Sequence, residues 1–458
     1  MVAADQPGIA GLRAALSGGV VAKGDEDWDV ARQAFNLAVD QRPAAVAFPA
    51  DADEVAATVR FAAERGLQVA PQLTGHNAAP LGPLDGAVLL RTDGLDDVAF
   101  DAEHTRARVG AGVRWGDVVR QTSPRSRAAL HGSSPGVGVV GYSLGGGLGW
   151  YARRWGLAAN SVTAVELVAA DGSRLRADRD HEPDLFWALR GGGGNFGVVT
   201  AMEFALYPVG ELYAGALFFP WERSAEVLHV WHGLLADLPD TVTSCGRIMQ
   251  FPPFPDVPES LRGRSFVVIE AACLGGADVA APLLAPLRGL RPSLDTFAAV
   301  APEALLDLHM DPPLPVPALS DHLLLEHLAP AAIDDLAAVA GPGSGSPLAA
   351  VDLRHTGAAL ARPQPHDGAV GALPGVLSLF AVGVPADPAA GAAVGGQLAK
   401  VNAVLAGHAV GQSLNMVEGP VATRQVYPPA TYRRLQRVRA QYDPDERFRA
   451  NHPVPTRG

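Results

Sequence analysis

The spacing of apolar and polar positions changes several times along the chain, and each change marks an element. From 51 to 66 the spacing is helical. Val55, Val59 and Ala62 share a face, Asp51 and Glu54 form a capping-box pattern, and Gly66 is a stop. The apolar run 67–70 predicts a strand that hands the chain directly to Thr74-Gly75-His76. A second short strand is expected at 87–90, and 106–112 alternates like a half-exposed third. The stretch 161–170 alternates well, Asp171-Gly172 is a hairpin turn, and a return strand follows. Pro183 opens a short helix to 190, and 198–206 reads as a strand. After Pro208 the texture changes. Apolar strands at 214–219, 247–251, 266–273, 349–353 and 376–382 mix with Ala/Leu-rich helices and proline clusters. That mixture predicts an antiparallel sheet backed by helices. The last segment has a strand-like start at 412–417, a helix at 430–442 and an irregular basic end.

The stretch 130–149, "LHGSSPGVGVVGYSLGGGLG", fits neither period. Glycine at this density lets a backbone approach a ligand closely. The letters from Gly136 to Gly141 match G-x-G-x-x-G, but Ser133-Ser134-Pro135 precedes them instead of a buried strand, and the first acidic residue is Glu166. The context therefore argues against a Rossmann site. Three separated glycine segments remain, 74–76, 132–147 and 191–197, each beside a predicted strand. Converging on one ligand, their amide N–H groups would suit a pyrophosphate; otherwise they are three ordinary turns.

A chain of 458 residues is too long for one core. Its formal net charge of −12 argues against nucleic acid or an anionic membrane as main partner. Cys245 and Cys273, the two cysteines, allow no metal-ligand spacing and are expected as buried free thiols. The start, "MVAADQPGIAGLRAAL", shows no export signal, so a cytoplasmic protein is expected. Arginine far outnumbers lysine (Lys23 and Lys400), as in chains from GC-rich bacterial genomes.

The ordered set "RPAAVAFPADADEVAATVRFAAERGLQVAPQLTGHN", "ARVGAGVRWGDV", "HGSSPGVGVVGYSLGGGLGW", "GLAANSVTAVELVAADG", "PDLFWALRGGGGNFGVVT" and "YDPDERFRANHPV" resembles one family. It is that of the FAD-linked oxidases with a vanillyl-alcohol-oxidase-type (PCMH) flavin domain, in the berberine-bridge-enzyme and 6-hydroxy-D-nicotine-oxidase branch. The resemblance implies an α+β fold. A two-lobed FAD-binding domain (42–210) would be preceded by a helical segment (1–41). A substrate domain with an antiparallel sheet backed by helices (211–410) would follow, and then a berberine-bridge-like segment returning to the FAD domain (411–458).

By the same resemblance, His76 bonds covalently to the flavin 8α-methyl carbon. Serine at 134 stands where some relatives carry a second, cysteinyl link, so a single bond is expected. Gln72, Leu73 and Thr74 replace the usual Arg-x-Gly before Gly75, which removes a cation and leaves the pyrophosphate to backbone amides and Thr74. Asn77, His131, Gly132, Ser133, Val137 and Gly138 are expected beside the flavin or its phosphates, with Gly141, Tyr142, Gly145 and Gly147 lining the same loop. Gly197 and Val199 would meet the adenine or ribose side. Asn415 and Asn451 would touch the isoalloxazine or ribityl chain.

The implied reaction is hydride transfer from a C–H bond of a small alcohol, amine or secondary metabolite to flavin N5, with O2 reduced to hydrogen peroxide. The usual base is missing. Ser413-Leu414-Asn415-Met416 stands where relatives have Y-x-N-F. Candidates are His355 and Arg354, on opposite faces of a predicted strand, with Tyr142, Tyr151, His131, Glu418 and Tyr427 behind them. A dehydrogenase with another electron acceptor, or a flavin-binding protein without turnover, stays open at this point. The sequence leaves the oligomeric state open as well.

Overall fold

The computed structural model describes residues 8–255, 257–419 and 421–456. The first seven residues, and with them part of the N-terminal segment, lie outside that range.

The fold is α+β. The capped helix runs Ala52–Glu64, and the Asp51 carboxylate accepts from the N–H groups of Asp53 and Glu54. Glu54 reaches back to the N–H of Ala50 rather than that of Asp51. Its apolar stripe separates two sheets. The smaller holds Ala45–Ala47, Ala87–Arg91 and Gln68–Gln72 in parallel, with Val20–Val21 antiparallel on its edge. The other is an antiparallel five-stranded sheet in the order Val98–Phe100, Arg106–Gly110, Val198–Ala205, Val162–Val168, Arg174–Asp178. Val55, Val59 and Ala62 join both in one core with Val69, Val109, Val165 and Met202. The C-terminal segment returns to this half of the molecule, where Val69 N–H donates to Arg447 and its carbonyl accepts from Arg449.

A larger antiparallel sheet follows. Its order is Leu294–Asp295, Leu212–Pro220, Ser265–Leu274, Val242–Gln250, Leu348–His355, Leu377–Gly383, Leu319–Leu325, Ala409–Gly411, with Ala298–Val300 also paired to the second of these. Helices Ser224–Leu234, Ala277–Gly289, Pro330–Ala340 and Pro388–Leu405 cover one face with Leu228, Trp231, Leu284, Leu336 and Val401. The opposite face is lined by side chains that include several charges. Cys245 and Cys273 are free and buried in neighbouring strands. No helix among the described residues is long and apolar enough to cross a membrane.

Three local expectations need correction. The glycine stretch contains a helix, Val139–Leu144, in which every residue except Gly141 is buried, so it carries no amphipathic period. The stretch 412–417 is a 3-10 turn at Leu414–Met416, and the strand precedes it at Ala409–Gly411. Strand Leu319–Leu325 was not foreseen, because its site-facing positions are Ser320 and His322 rather than apolar residues.

Candidate active site

The strand Gln68–Gln72 ends in a turn made possible by Gly75 at φ 77°, where a Cβ would sit 2.8 Å from that of Ala34. The turn is pinned from outside by Phe35, whose N–H donates to the Thr74 carbonyl at 2.8 Å. The His76 ring stacks on Phe35 with centroids 3.7 Å apart. Its Nδ1 lies 2.7 Å from Thr74 Oγ1, and its Nε2 is buried without a partner. Burial pushes the imidazole down to about 4, so it is neutral at physiological pH.

The flanking residues divide. Gln72 is tied to Gln41 by a reciprocal amide pair at 3.0 and 3.2 Å and is not aimed at a ligand. Leu73 packs under Gly138, where a Cβ would lie 2.8 Å from Leu73 Cδ2. Asn77 Nδ2 donates to the Leu414 carbonyl at 3.1 Å, and Asn451 Nδ2 to the carbonyl of Asn77.

The second glycine segment lies against this turn, since a Cβ on Gly136 would be 3.9 Å from His76 Cε1 and 3.8 Å from Ser134 Oγ. Val137 accepts from Trp115 N–H, and Gly141 faces open space. Ser133 Oγ donates to Asp311 at 2.7 Å, which joins this loop to the substrate side. His131 Nδ1 is 2.7 Å from the Gly132 carbonyl, and its Nε2 is unpartnered. Tyr142 packs edge-on to Trp115, and burial drives its phenol well above the ordinary range. It therefore stays an O–H donor, contrary to the expectation of a proton acceptor. Gly147 must be glycine because a Cβ would be 2.4 Å from the Tyr142 ring. At Gly145 a Cβ would meet Asn415 Oδ1 at 2.2 Å, and Asn415 Nδ2 donates to the Tyr142 carbonyl at 2.9 Å.

The third segment joins through the Leu144 carbonyl, which accepts from Gly191 and Gly193 at 3.0 Å each. Gly197 is accounted for by strand packing: a Cβ there would be 2.6 Å from Leu167 Cδ1, and Val199 pairs with Leu167 inside the sheet.

On the substrate side, strand Leu348–His355 does place Arg354 and His355 on opposite faces. His355 points away from the FAD-binding loops. Its Nε2 meets Arg153 Nη1 at 2.8 Å, and Arg153 also donates to the carbonyls of Val242, Leu238 and Thr356. Burial and then the Arg153 charge lower it to about 3. This is a structural staple, so the expectation of a catalytic His355 is withdrawn. Arg354 faces the other way, toward the Leu148 carbonyl and the Trp150 ring.

Sequence reasoning missed most of this face. Arg247 binds Glu270 at 2.6 Å and Asp352 at 2.7 Å. His309 Nδ1 and Nε2 meet the same two carboxylates at 2.6 and 3.2 Å. Neutral His322 accepts from Ser413 N–H on Nδ1 at 3.2 Å and donates from Nε2 to Ser378 at 3.0 Å. It holds the turn where relatives would place an aromatic. Glu418 lies near Asn36 Nδ2 at 3.5 Å, and burial pushes its carboxyl up to about 7, partly offset by Ser320. Single charges within apolar strands, such as Arg247 in "CGRIM" and Glu270 in "VVIEAAC", were the signal available.

Folded proteins pair nearly all buried polar groups. Yet among the described residues His76 Nε2, Asn77 Oδ1, His131 Nε2 and Asn415 Oδ1 are buried and unpartnered in the segments that converge here. Mixed donors and acceptors around glycine-cleared backbone fit the edges of a flavin and its ribityl chain.

Comparison with known proteins agrees with this geometry. A family model described as "FAD binding domain" matches residues 43–178, and one described as "Berberine and berberine like" matches 414–455. The (R)-6-hydroxynicotine oxidase of Paenarthrobacter nicotinovorans is 30% identical over 460 residues, covering 97% of this chain and 98% of that protein. The xylooligosaccharide oxidase of Thermothelomyces thermophilus is 36% identical over 219 residues, 47% of this chain and 44% of that one. Among solved structures, 6-hydroxy-D-nicotine oxidase from Arthrobacter nicotinovorans superposes with a TM-score of 0.81 at 26% identity, over 95% of this chain and 98% of that one. Fold and site define an FAD-dependent oxidoreductase. The chain belongs to the FAD-linked oxidase family with a PCMH-type flavin domain, in the berberine-bridge-enzyme and 6-hydroxy-D-nicotine-oxidase branch.

Proposed function

We propose that this protein is a cytoplasmic bacterial oxidase of secondary metabolism whose FAD is attached through His76 alone. Its donor is a small alcohol, amine or related metabolite, and O2 is the acceptor. Residues 42–210 hold the cofactor, 211–410 form the substrate wall, and 411–458 close the site from below. The observation that carries this reading is the His76 ring: neutral, clamped between Phe35 and Thr74, with Nε2 unpartnered beside the glycine loops. A neutral imidazole is the nucleophilic form.

When bound, FAD would supply the hydride acceptor for the donor C–H bond and the route for the electrons to O2. The chain's own residues do the rest. Asn77, Asn415 and Asn451 tie the first two glycine segments to the C-terminal segment. The Asp311–Ser133 contact ties the substrate side to the glycine loop. Glu418, beside Asn36 and Ser320 in the segment that follows Ser413, is the proton acceptor of this reading, and burial pushes its carboxyl up to about 7.

The test is direct. The purified protein should be yellow and keep its colour in the acid precipitate. Anaerobic mixing with a panel of alcohols, amines and sugars should bleach the flavin band for at least one class. Colourless protein overturns the cofactor reading, and bound flavin that no donor reduces favours a binding role.

A further inference from the structure

On the sheet face toward the glycine loop, five charged side chains are buried together. Arg247, Arg354 and His309 are positive, and Glu270 and Asp352 are negative. Both His309 nitrogens face carboxylates, an arrangement that favours a proton on each. With His309 protonated these five groups sum to one positive charge, which the Asp311 carboxylate faces from the edge of the cluster. Asp311, two residues beyond His309, is half-buried and accepts from the neutral Ser133 hydroxyl, so it keeps its charge.

Arg354 is the unpaired member of the cluster. Among the described residues no carboxylate pairs with it. Its contacts are the Leu148 carbonyl at 3.5 Å, the His309 imidazolium at 3.5 Å and the Trp150 ring with its centroid 5.6 Å away. A buried guanidinium that meets one distant carbonyl and another cation is under-satisfied. Further donors stand around the same backbone. Trp150 Nε1–H is buried without a partner on a side chain 3% exposed. The unpartnered Tyr142 hydroxyl lies against Gly149, where a Cβ would be 3.0 Å from it, between Leu148 and Trp150. Three donors, one of them a guanidinium without a carboxylate, and a single weakly used acceptor describe the complement of an anion.

We propose that Arg354, Trp150 and Tyr142 form a carboxylate-recognition subsite, and that the electron donor of this enzyme is a carboxylate-bearing molecule. The inference rests on the oxidase reading above and adds the substrate class to it. A planar guanidinium fork with two flanking donors holds a carboxylate at a fixed angle, so the subsite orients the reacting carbon as well as binding the donor.

Titration calorimetry of the holoprotein, which needs no turnover, provides the test. Benzoate, phenylacetate and hexanoate are each compared with their neutral amides, while flavin content is measured separately on the same sample. At least one carboxylate should bind about tenfold or more tightly than its amide. Arg354→Gln should abolish that preference, Arg354→Lys should keep part of it, and Trp150→Phe should weaken it about threefold while keeping the ring. A preference reduced but not abolished in both Arg354→Lys and Trp150→Phe, in soluble yellow protein, also supports the subsite should Arg354→Gln not fold. If no carboxylate is preferred by the wild type, or if the preference survives Arg354→Gln, the proposal is overturned. A sulfite adduct at the flavin that weakens in Arg354→Gln while carboxylate preference stays intact assigns the charge to the cofactor and also overturns it. Absence of flavin would instead defeat the oxidase reading, and the calorimetry would still report on the subsite.

Discussion

Thr74 Oγ1 and His76 Nδ1 lie 2.7 Å apart, and this contact leaves Nε2 as the ring nitrogen without a partner. The hydroxyl orients the imidazole before any cofactor arrives. His76→Ala should release all flavin into the acid supernatant. Thr74→Ala should keep attachment but slow it about fivefold, the effect of one hydrogen bond. Time-resolved, acid-precipitable flavin fluorescence measures both. Equal retention in His76→Ala would mean another residue carries the link.

Arg247 is the keystone of the buried charge cluster, bonded to Glu270 and Asp352 and to the carbonyl of His309. Arg247→Met leaves two carboxylates buried against a single imidazolium. Destabilisation of about 3–5 kcal/mol is expected from denaturant unfolding. Pairing it with Glu270→Gln should recover part of that loss, because one orphaned charge disappears with its partner.

His309 makes stability depend on alkaline pH. Burial and Arg247 oppose its charge, but Glu270, Asp311 and Asp352 outweigh them and push it up to about 9 from an ordinary 6.5. A base with a raised pKa favours the fold while it holds its proton. Its contribution is therefore complete below 6.5, declines above that, and is lost as pH rises through about 9. Between pH 7 and 9.5 the Tm of the wild type should fall more steeply than that of His309→Gln. Parallel curves would exclude this assignment.

The elements that were legible in the sequence are those with a regular period. The helix Ala52–Glu64 has an apolar stripe and a capping aspartate, and the hairpin at Asp171-Gly172 has its turn chemistry. The glycine segments were also visible, because a glycine run beside a strand is a local signal. Their convergence was not, since it is made by contacts such as Leu144 to Gly191 that no local pattern encodes. The helix Val139–Leu144 was hidden because every residue in it except Gly141 is buried. Strand Leu319–Leu325 was hidden for the opposite reason, because Ser320 and His322 face a polar site and mimic a loop. The pairing of Arg354 with a flavin-facing side and His355 with a staple needed the third dimension to choose between them.

Gly149 shows how little freedom the glycine loop has. A Cβ there would stand 1.8 Å from the backbone carbonyl oxygen of His131, and 3.0 Å from the Tyr142 hydroxyl. A backbone atom cannot swing aside as a side chain can. Gly149→Ala should therefore yield insoluble protein or a Tm lowered by several degrees with loss of flavin. Gly141→Ala, where nothing lies within 4 Å of the added carbon, should fold as the wild type does. Thermal melts of the two variants side by side make the comparison.

Glu418 gives the reductive half-reaction its expected pH dependence. Burial disfavours the carboxylate and pushes its pKa up to about 7, and the Asn36 amide at 3.5 Å is a weak neutral partner. Below that pKa the group holds a proton and cannot accept one from the donor. Above it the carboxylate is available. The anaerobic rate of flavin bleaching should therefore rise with pH through about 7 and then level off. Glu418→Gln keeps the size and the Asn36 contact but removes the titration, so its rate should be low and flat across the same range. His322→Gln provides the contrast. His322 is lowered to about 3 by burial, with Arg354 adding to the effect, and stays neutral throughout, so its loss should not move the inflection. An inflection that survives Glu418→Gln would place the proton acceptor elsewhere.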